Sequence, residues 1–280
     1  MTSPAKKFPM RILFLVNDTM SPPGVLLEEA RARGADCDVR LIHYGFGDPS
    51  LPLDEVPEGH EAHDALVIMG GPMGVYEADK YPFIDKTKAL ICSFHEADKS
   101  VMGVCLGSQL VASAFGGNVY KMKDFDEFGF LPQTWLDAAT EDALLHDAEP
   151  ELPIVQWHHD TFDLPDGAVQ LSTRPICRNQ SFRIGNKTYA FQFHLELTRE
   201  TLEEWMAQRA TYTGVELAEI EAAIGPIEAV LDPQQAFARR VMARWMGLQA
   251  PPTAASEIHA TGQGAIDHHV DAGGEGGGGA

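Results

Sequence analysis

Short apolar runs alternate with amphipathic segments through the first two-thirds of the chain. The apolar runs, such as "RILFLV" and "ALVIM", have the length of strands, and most are apolar at every position. The segments between them repeat apolar residues at helical spacing and end in glycine or polar residues. The pattern predicts strands over 11–16, 37–44, 65–69 and 100–105 and helices over 23–34, 83–98 and 108–117. Strands buried on both faces and alternating with helices predict an α/β fold, with a mostly parallel central sheet covered by helices on both sides.

After residue 118 the pattern changes to short strand-like segments separated by turn residues. These segments are "NVYKM", "EFGFLPQTW", "LPIVQW", "AVQLSTR", "QSFRIGN" and "KTYAFQFH". In "RIGNKTYAFQF" we expect a hairpin with Gly185-Asn186 as its two-residue turn, because both residues tolerate positive φ. The sequence therefore predicts an antiparallel extension of the parallel sheet.

From residue 198 onward the pattern is helical. "TRETLEEWMAQRATY" begins with Thr198 as a capping residue, and the segment 232–248 places Phe237, Val241 and Trp245 at steps of four on one apolar face. These helices could pack on the core or form a dimer surface, and the pattern leaves both open. We divide the chain into an N-terminal extension (1–9), a main domain (10–197), a C-terminal helical extension (198–248) and a tail (249–280).

The tail is rich in glycine and alanine and has almost no large apolar side chains. Such a composition predicts disorder, because too little apolar surface can be buried to offset the loss of chain entropy. His259, His268 and His269 lie in this tail and raise the question of metal binding. In a flexible segment of this composition we expect no metal site.

Composition and charge limit the choice of partners. The 280 residues are 44% hydrophobic and 22% charged, as in ordinary globular proteins, and the net charge of −20 repels nucleic acid and anionic lipid. The apolar run near the N-terminus is too short for a signal sequence, and no stretch approaches the ~20 apolar residues of a membrane span. We expect a cytoplasmic protein with neither nucleic acid nor membrane as a partner.

One of the four cysteines lies in an unusual setting. Cys37, Cys92 and Cys177 are expected to be reduced, mostly buried thiols, whereas Cys105 stands in "GVCLG" between a predicted strand and a predicted helix. A turn from strand to helix that exposes its apical side chain brings the residues two before and two after too close for a Cβ. The glycines at 103 and 107 therefore predict a nucleophile at the apex, and a buried core cysteine is the weaker alternative.

A nucleophilic thiol needs a base and a group that orients the base. In "AFQFHLE", His194 ends an apolar strand and Glu196 follows two positions later, which places both side chains on the same side. For an oxyanion hole we expect the N–H of Leu106, directly after the cysteine, and an N–H from Gly70-Gly71-Pro72. Loops that follow neighbouring parallel strands meet at one edge of the sheet, so these segments could form one site.

Together these segments resemble the class I, triad-type glutamine amidotransferases. The elbow and Gln109 are similar to the family's G-x-C-x-G-x-Q signature, "QFHLE" to its Q-F-H-P-E signature and "MGGPMGVYE" to its oxyanion loop. "DEFGF", "QWHHDTFDLPDGA" and "CRNQSFR" are similar to segments of stand-alone proteins related to the glutaminase domain of GMP synthetase. The resemblance covers about residues 10–197 and implies a flavodoxin-like fold.

The resemblance also implies a reaction, the hydrolysis of glutamine through a γ-glutamyl thioester. Cys105 would attack the amide carbonyl, His194 would protonate the leaving ammonia and then activate water, and Glu196 would orient His194. The implied substrate-binding residues are Gly70, Gln109 and His158, and the implied oxyanion donors are Gly71 and Leu106. No metal or organic cofactor is implied.

Two features complicate this assignment. The family's proline between the histidine and the glutamate is Leu195 here, which removes a constraint on the turn but no reacting group. The stretch "WHHD" suggests a metal held by His158, His159, Asp160 and His194. No helix carries a recognisable ligand spacing, so we prefer a substrate-binding loop in which Asp160 caps or braces the backbone.

Four functions remain open on the sequence. The protein could hydrolyse glutamine and pass ammonia to a synthetase partner, or act alone as a γ-glutamyl hydrolase or peptidase on a larger amide. It could be a non-catalytic binding protein of the same fold, although the presence of Cys105, His194 and Glu196 disfavours this. It could also be a cysteine hydrolase of the stress-protein or intracellular-protease type, which Gln109 and the His-x-Glu pair disfavour.

Overall fold

The apolar runs at the start of the chain form neighbouring strands of one central sheet. The computed structural model of the protein describes residues 9–123 and 126–249. The strands are β1 (Arg11–Val16), β2 (Asp36–Leu41), β3 (Ala65–Ile68), β4 (Ser100–Val104), β5 (Val119–Lys121), β6 (Glu127–Pro132), β7 (Thr134–Trp135), β8 (Pro153–His158), β9 (Asp160–Phe162), β10 (Val169–Thr173), β11 (Ser181–Ile184) and β12 (Thr188–Phe191). The helices are α1 (Gly24–Ala32), α2 (Phe83–Glu96), α3 (Leu106–Ala114), α4 (Asp137–Thr140), α5 (Arg199–Thr213), α6 (Leu217–Ile224) and α7 (Ile227–Gly247), with a 3-10 turn over Val75–Glu77.

The central sheet combines a parallel and an antiparallel half. Its eight strands follow the order β2-β1-β3-β4-β12-β11-β10-β7, and all pairs from β2 to β12 are parallel. The pairs β12-β11, β11-β10 and β10-β7 are antiparallel. Two small antiparallel pairs, β5-β9 and β6-β8, lie outside this sheet. The predicted α/β fold with a parallel core and an antiparallel extension is thus confirmed.

The predicted hairpin exists, but its turn is longer than expected. Ile184 pairs with Thr188, so three residues connect β11 to β12 instead of two. Gly185 has φ of +57°, whereas Asn186 is not among the residues with positive φ. A two-residue turn of type I′ needs positive φ at both central residues, whereas this three-residue loop has it at Gly185 and not at Asn186.

Helices cover both faces of the sheet. One core cluster joins α1 and α7 to the strands, and the other joins α2 and α3 to the opposite face. Phe237, Val241 and Trp245 are fully buried in the first cluster. The question left open by the sequence is therefore settled for this apolar face, which packs on the core of its own chain.

Two C-terminal elements differ from the prediction. Helix α7 begins at Ile227, five residues before the predicted start, and runs through Pro233. Asp232-Pro233 is typical of a helix start, which explains why the pattern placed the beginning there. Helix α6 was not predicted, whereas α5 begins directly after Thr198, whose hydroxyl accepts a hydrogen bond from the Thr201 N–H at 3.2 Å.

Not every prediction for the ends of the chain falls on described residues. The first eight residues and residues 250–280 lie outside them, and with them all but one residue each of the predicted N-terminal extension (1–9) and the predicted tail (249–280). Among the described helices, none combines the length and the apolar character that crossing a bilayer requires.

Two glycines let α3 follow β4 without a connecting loop. A Cβ at Gly103 would lie 2.4 Å from the Gly107 carbonyl oxygen, and a Cβ at Gly107 would lie 2.1 Å from the Ile68 carbonyl oxygen. Both approaches are against backbone atoms, which cannot rotate away as a side chain can. The close packing predicted from the "GVCLG" pattern is therefore present.

We expect Gly107→Ala to lower the free energy of unfolding by more than about 3 kcal/mol, because its methyl group would force α3 away from β3. Gly247→Ala is the matched control, since this glycine is also helical but has no neighbour within 4 Å. The control should raise stability by up to about 1 kcal/mol. Urea unfolding of both variants measures the difference, and equal stabilities would contradict the steric account.

Candidate active site

The carboxyl ends of four neighbouring parallel strands meet at one edge of the sheet. β1 leads to Asp18, β3 to Gly70, β4 to Cys105 and β12 to His194. A cavity of about 730 Å³ opens at this edge. Of the residues predicted from the sequence, Gly71, Cys105, Gln109, His158 and His194 line it. The topology thus gathers at one cavity side chains that are far apart in the sequence.

Cys105 occupies a strained turn between β4 and α3. Its φ of 51° and ψ of −110° lie outside the regions that residues with a Cβ normally adopt. The turn is fixed because the Cys105 N–H donates to the Phe191 carbonyl at 2.8 Å and the Cys105 carbonyl accepts from the Ser108 N–H at 2.9 Å. The thiol is 7% exposed and lies at the N-terminus of α3, where unpaired N–H groups favour negative charge.

His194 and Glu196 form a buried pair. The Nδ1 atom of His194 lies 2.7 Å from Oε1 of Glu196, and both side chains are almost fully buried. Because an ionised carboxylate only accepts hydrogen bonds, Nδ1 is the donor, which directs Nε2 away from the glutamate. A Cβ at Gly70 would lie 3.5 Å from both Cys105 Cβ and His194 Cε1, so the two side chains lie close together beside this glycine.

The surroundings of His194 favour its protonated form. Burial opposes the positive charge, but the charge of Glu196, the charge of Cys105 as a thiolate and the hydrogen bond with Glu196 outweigh burial and raise the pKa of the imidazole well above its usual range. Among the described residues, the Nε2 atom of His194 has no hydrogen-bond partner. The ring therefore has a proton to share with whatever occupies the space beside Cys105.

The predicted oxyanion donors lie next to each other. A Cβ at Gly71 would lie 3.1 Å from Leu106 Cδ2 and 3.1 Å from Asn17 Cβ, so the loop after β3 packs against the start of α3. Among the described residues, neither the Gly71 N–H nor the Leu106 N–H has a backbone or side-chain acceptor. An oxyanion hole requires two N–H groups without a protein acceptor near the reacting carbon, so the assignment of Gly71 and Leu106 to this role stays a prediction.

Gln109 is held by a second glutamine that the sequence pattern did not single out. Its Nε2 atom donates to Oε1 of Gln192 at 3.2 Å, and both side chains are buried. Gln192 belongs to the same "QFHLE" segment as His194. The contact links the orientation of the Gln109 amide, which lines the cavity, to the segment that carries the histidine.

The turn that carries His194 and Glu196 is held from outside, although Leu195 stands where the family has proline. At the start of α1, the Val25 N–H donates to the Glu196 carbonyl at 3.0 Å, and a Cβ at Gly24 would lie 2.0 Å from that oxygen. Leu195 itself is fully buried in the core. Packing and hydrogen bonds thus provide a constraint that proline would provide covalently.

Gln234 of α7 connects this turn to β8. The His194 N–H donates to the Val155 carbonyl at 3.1 Å, as in an antiparallel pair. Gln234 occupies the place of the reciprocal bond, because its Oε1 accepts from the Val155 N–H at 2.8 Å and its Nε2 donates to the His194 carbonyl at 3.1 Å. Its side chain is fully buried. Sequence reasoning missed Gln234, although a glutamine among the apolar positions of α7 was a usable signal.

Trp205 of α5 packs against the imidazole of His194. Its ring centroid lies 4.7 Å from that of His194 at an interplanar angle of 75°, and its Nε1–H donates to the Met20 carbonyl. Trp205, Gln208, Thr211 and Tyr212 line the cavity. The helices after residue 198 therefore contribute to the candidate site, which the pattern of the sequence did not indicate.

His158 lies in a buried polar network beneath the cavity. Its Nδ1 is 3.0 Å from the Asp160 carbonyl oxygen, and its Nε2 is 3.0 Å from Gln156 Oε1 and 3.4 Å from Glu127 Oε2. Both ring nitrogens thus already face acceptors of the protein. His158 lies where a substrate-binding residue is expected, but neither nitrogen is free to donate to a substrate; its binding role stays a prediction.

The same network brings together Glu127, His158 and Cys177, whose potential ligand atoms lie within 4.8 Å of one another. Arg174 donates to Glu127 at 3.0 Å, and Gln180 donates to it at 2.6 Å. Although burial disfavours the charged carboxylate, the hydrogen bonds from His158 and Arg174 lower the pKa of Glu127. Because the carboxylate is already paired with a guanidinium, these contacts account for the cluster as a hydrogen-bond network and fit a cation poorly.

Cys177 lies in different surroundings from Cys105. It is almost fully buried, and its Sγ lies 3.2 Å from the Thr161 hydroxyl. Burial raises the pKa of the Cys177 thiol to about 11, which disfavours the reactive thiolate. Of these two cysteines, Cys105 is the one that lines the cavity and lies near His194.

Comparisons with known proteins match most of the chain. The family model for glutamine amidotransferase class-I matches residues 25–211. The glutamine amidotransferase-like protein YfeJ of Salmonella typhimurium is 30% identical over 197 residues, 69% of this chain and 79% of that protein. One subunit of the glutamine-hydrolyzing GMP synthase of Methanosarcina mazei is 28% identical over 171 residues, 59% of this chain and 78% of that protein. A glutamine amidotransferase crystal structure from Thermotoga maritima superposes with a TM-score of 0.70 at 24% identity, covering 85% of this chain and 99% of that one, which is a likeness of fold.

We expect Gln234→Leu to lower the free energy of unfolding by about 2–4 kcal/mol, because it leaves the Val155 N–H and the His194 carbonyl buried without partners. Gln235→Leu is the matched control, since the half-buried Gln235 makes one hydrogen bond, to the Leu197 carbonyl. Denaturant unfolding compares the two variants. A larger loss for the control would show that the bridge does not hold the turn.

Proposed function

This chain belongs to the class I glutamine amidotransferase family, and on that premise we propose that it hydrolyses the γ-amide of glutamine or of a γ-glutamyl compound through a thioester on Cys105. The observation that carries the proposal is that Cys105 and His194 both lie next to Gly70, with Nδ1 of the imidazole bound to Glu196 at 2.7 Å. A thiol, a base and an orienting carboxylate in this order are the requirements of nucleophilic acyl transfer.

In the first step the Cys105 sulfur attacks the carbon of the γ-amide. A carbon–sulfur bond forms, and the negative charge on the carbonyl oxygen is stabilised by the N–H groups of Gly71 and Leu106. The protonated His194 then gives its proton to the amide nitrogen, the carbon–nitrogen bond breaks and ammonia or an amine leaves. The glutamyl group remains on Cys105 as a thioester.

In the second step water replaces the amine. His194, now neutral at Nε2, removes a proton from the water, which attacks the thioester carbon. The carbon–sulfur bond breaks and glutamate leaves, which restores the Cys105 thiolate and the protonated His194. Glu196 keeps the ring oriented and stabilises its charge in both steps. The substrate, protein side chains and water supply every reacting group in these two steps, so the proposal calls for no metal or organic cofactor.

The side chains around Cys105 suggest how glutamine would be held. Gln109 lines the cavity with its amide fixed by Gln192, and Gly70 leaves room between Cys105 and His194. His158 lies in the wall, with both ring nitrogens bound to the protein. We assign polar recognition of the substrate to Gln109, and to His158 the shape of the wall.

A synthetase partner would give released ammonia a use. The Methanosarcina mazei relative is one subunit of a glutamine-hydrolyzing GMP synthase, and by analogy this chain could supply ammonia to another polypeptide. A second candidate function is the hydrolysis of a larger γ-glutamyl amide without a partner. The size of the cavity favours it, because about 730 Å³ exceeds the needs of glutamine, a molecule of about ten non-hydrogen atoms.

We expect Cys105→Ala to abolish the release of ammonia or amine from γ-glutamyl substrates, with a loss of at least about 10³-fold. A glutamine-mimicking chloroketone should label the wild type at Cys105. Cys92→Ala is the control, since this half-buried cysteine of α2 contacts the Ala114 carbonyl outside the site. A folded Cys105→Ala variant that keeps both turnover and biological effect would mean that Cys105 is not the nucleophile. Retention of the biological effect alone would indicate a binding protein.

We expect Glu196→Gln to move the alkaline limb of the activity profile to lower pH by roughly one to three units. The glutamine keeps an acceptor for Nδ1 but removes the negative charge that raises the pKa of His194. With the lower pKa, the imidazolium that protonates the leaving nitrogen is lost at a lower pH. Measurement of kcat/KM against pH tests this, and an unchanged alkaline limb would exclude His194 as the proton donor.

A further inference from the structure

We propose that the cavity contains a subsite for the leaving group, built on α5, that accepts an amine carrying an aromatic or similarly bulky apolar group without a negative charge. The inference rests on the proposed chemistry of Cys105 and names the class of γ-glutamyl amide that the second candidate function would use. It depends on the direction in which the leaving group extends, the side chains it meets and the charge around it.

The position of His194 fixes the direction in which the leaving group extends from the amide carbon. The leaving nitrogen must lie beside the imidazole that protonates it, so the group attached to that nitrogen begins next to His194. Trp205 packs against the same ring at 4.7 Å and lines the cavity. Gln208 and Tyr212 follow Trp205 at steps of three and four, which places all three on one side of α5. A leaving group larger than ammonia would therefore run along this side of the helix.

Aromatic rings stand at the outer end of the cavity. Among the described residues, the three most exposed large apolar side chains are Phe46 at 65%, Tyr76 at 58% and Tyr212 at 57%, and all three line this cavity. Apolar side chains left exposed around a depression are typical of a binding site. A flat apolar group enclosed by these rings would remove them from water and gain the contacts that aromatic faces and edges provide.

The concave form of the site favours a small molecule over a protein. A stable protein partner needs about 800 Å² of matching surface on each side. Here the three rings belong to the lining of a cavity whose volume is about 730 Å³ and whose floor holds Cys105. A synthetase that docks over the opening is the competing occupant, and the experiment below separates the two.

The charge of the cavity lining limits further which leaving groups the subsite can accept. Apart from the imidazoles of His158, His159 and His194, the charged side chains of the lining are the three carboxyl groups of Asp18, Glu77 and Asp160 and a single lysine, Lys121. The chain as a whole has a net charge of −20. An amine that carries its own carboxylate, such as an amino acid, would enter against this field, whereas an uncharged or cationic amine would not.

Three matched γ-glutamyl amides test the subsite: those of ethylamine, phenethylamine and phenylalanine. The first lacks the aromatic ring, and the third adds a carboxylate to the second. We use Cys105→Ala protein, which holds each compound without turnover, and measure affinity by calorimetry. The phenethylamide should bind about tenfold or more tightly than the ethylamide, because the ring is buried. It should also bind more tightly than the phenylalanine conjugate.

Tyr212→Ala in the same background should remove most of the preference for the phenethylamide. Tyr212 lies at the surface, so the substitution leaves the core intact. Leu53→Ala is the control, since it removes an exposed apolar side chain, 47% accessible, that does not line the cavity. Equal affinities for the phenethylamide and the ethylamide, or equal effects of both substitutions, would overturn the subsite.

Turnover by the wild type separates failure of the subsite from failure of the chemistry. If glutamine and the ethylamide are hydrolysed and the phenethylamide is not preferred, the subsite is wrong and the proposed function stands; the rings would then be free for a synthetase. If the phenethylamide binds as expected but no amide is hydrolysed and Cys105 is not labelled, the cavity binds aromatic γ-glutamyl amides, but the proposed chemistry is wrong and with it the role of the subsite in holding a leaving group.

Discussion

The site depends on one strained residue. Cys105 can hold a φ of 51° because Gly103 and Gly107 let α3 approach β4 and β3 within distances that no Cβ allows. The same close approach sets the start of α3 beside the loop at Gly71 and leaves the Leu106 N–H without an acceptor among the described residues. The position of the thiol, its helix terminus and its neighbouring N–H groups are consequences of one packing constraint.

The histidine side of the site is built differently, by contacts from three helices, α1, α5 and α7. Gln234 bridges Val155 and His194, Trp205 packs on the imidazole, and the start of α1 binds the Glu196 carbonyl. The turn that lacks the family's proline is held by groups on α1, α5 and α7. This explains how helices far from Cys105 in the sequence become part of the candidate site, and why changes in them should affect reactivity as well as stability.

The sequence predicted the parts of this arrangement that depend on local pattern. The strands β1, β3 and β4, the glycine-flanked turn and the capping of α5 by Thr198 follow from periodicity and steric demand, which neighbouring residues determine. Gln234 and Trp205 act across distances that no local pattern encodes, since their partners lie 40 or more residues away or on another element. The Gly185 loop was misread because two-residue and three-residue hairpins use the same residue types.

The central claim is that a glutamyl group resides on Cys105 during turnover. The most direct measurement is rapid acid quenching of the wild-type protein during turnover of a γ-glutamyl amide, followed by mass spectrometry of the intact chain and its peptides. The account predicts one glutamyl adduct on the peptide that contains Cys105, absent when His194 is replaced by alanine. Turnover with no adduct, or with the adduct on Cys177, would contradict it.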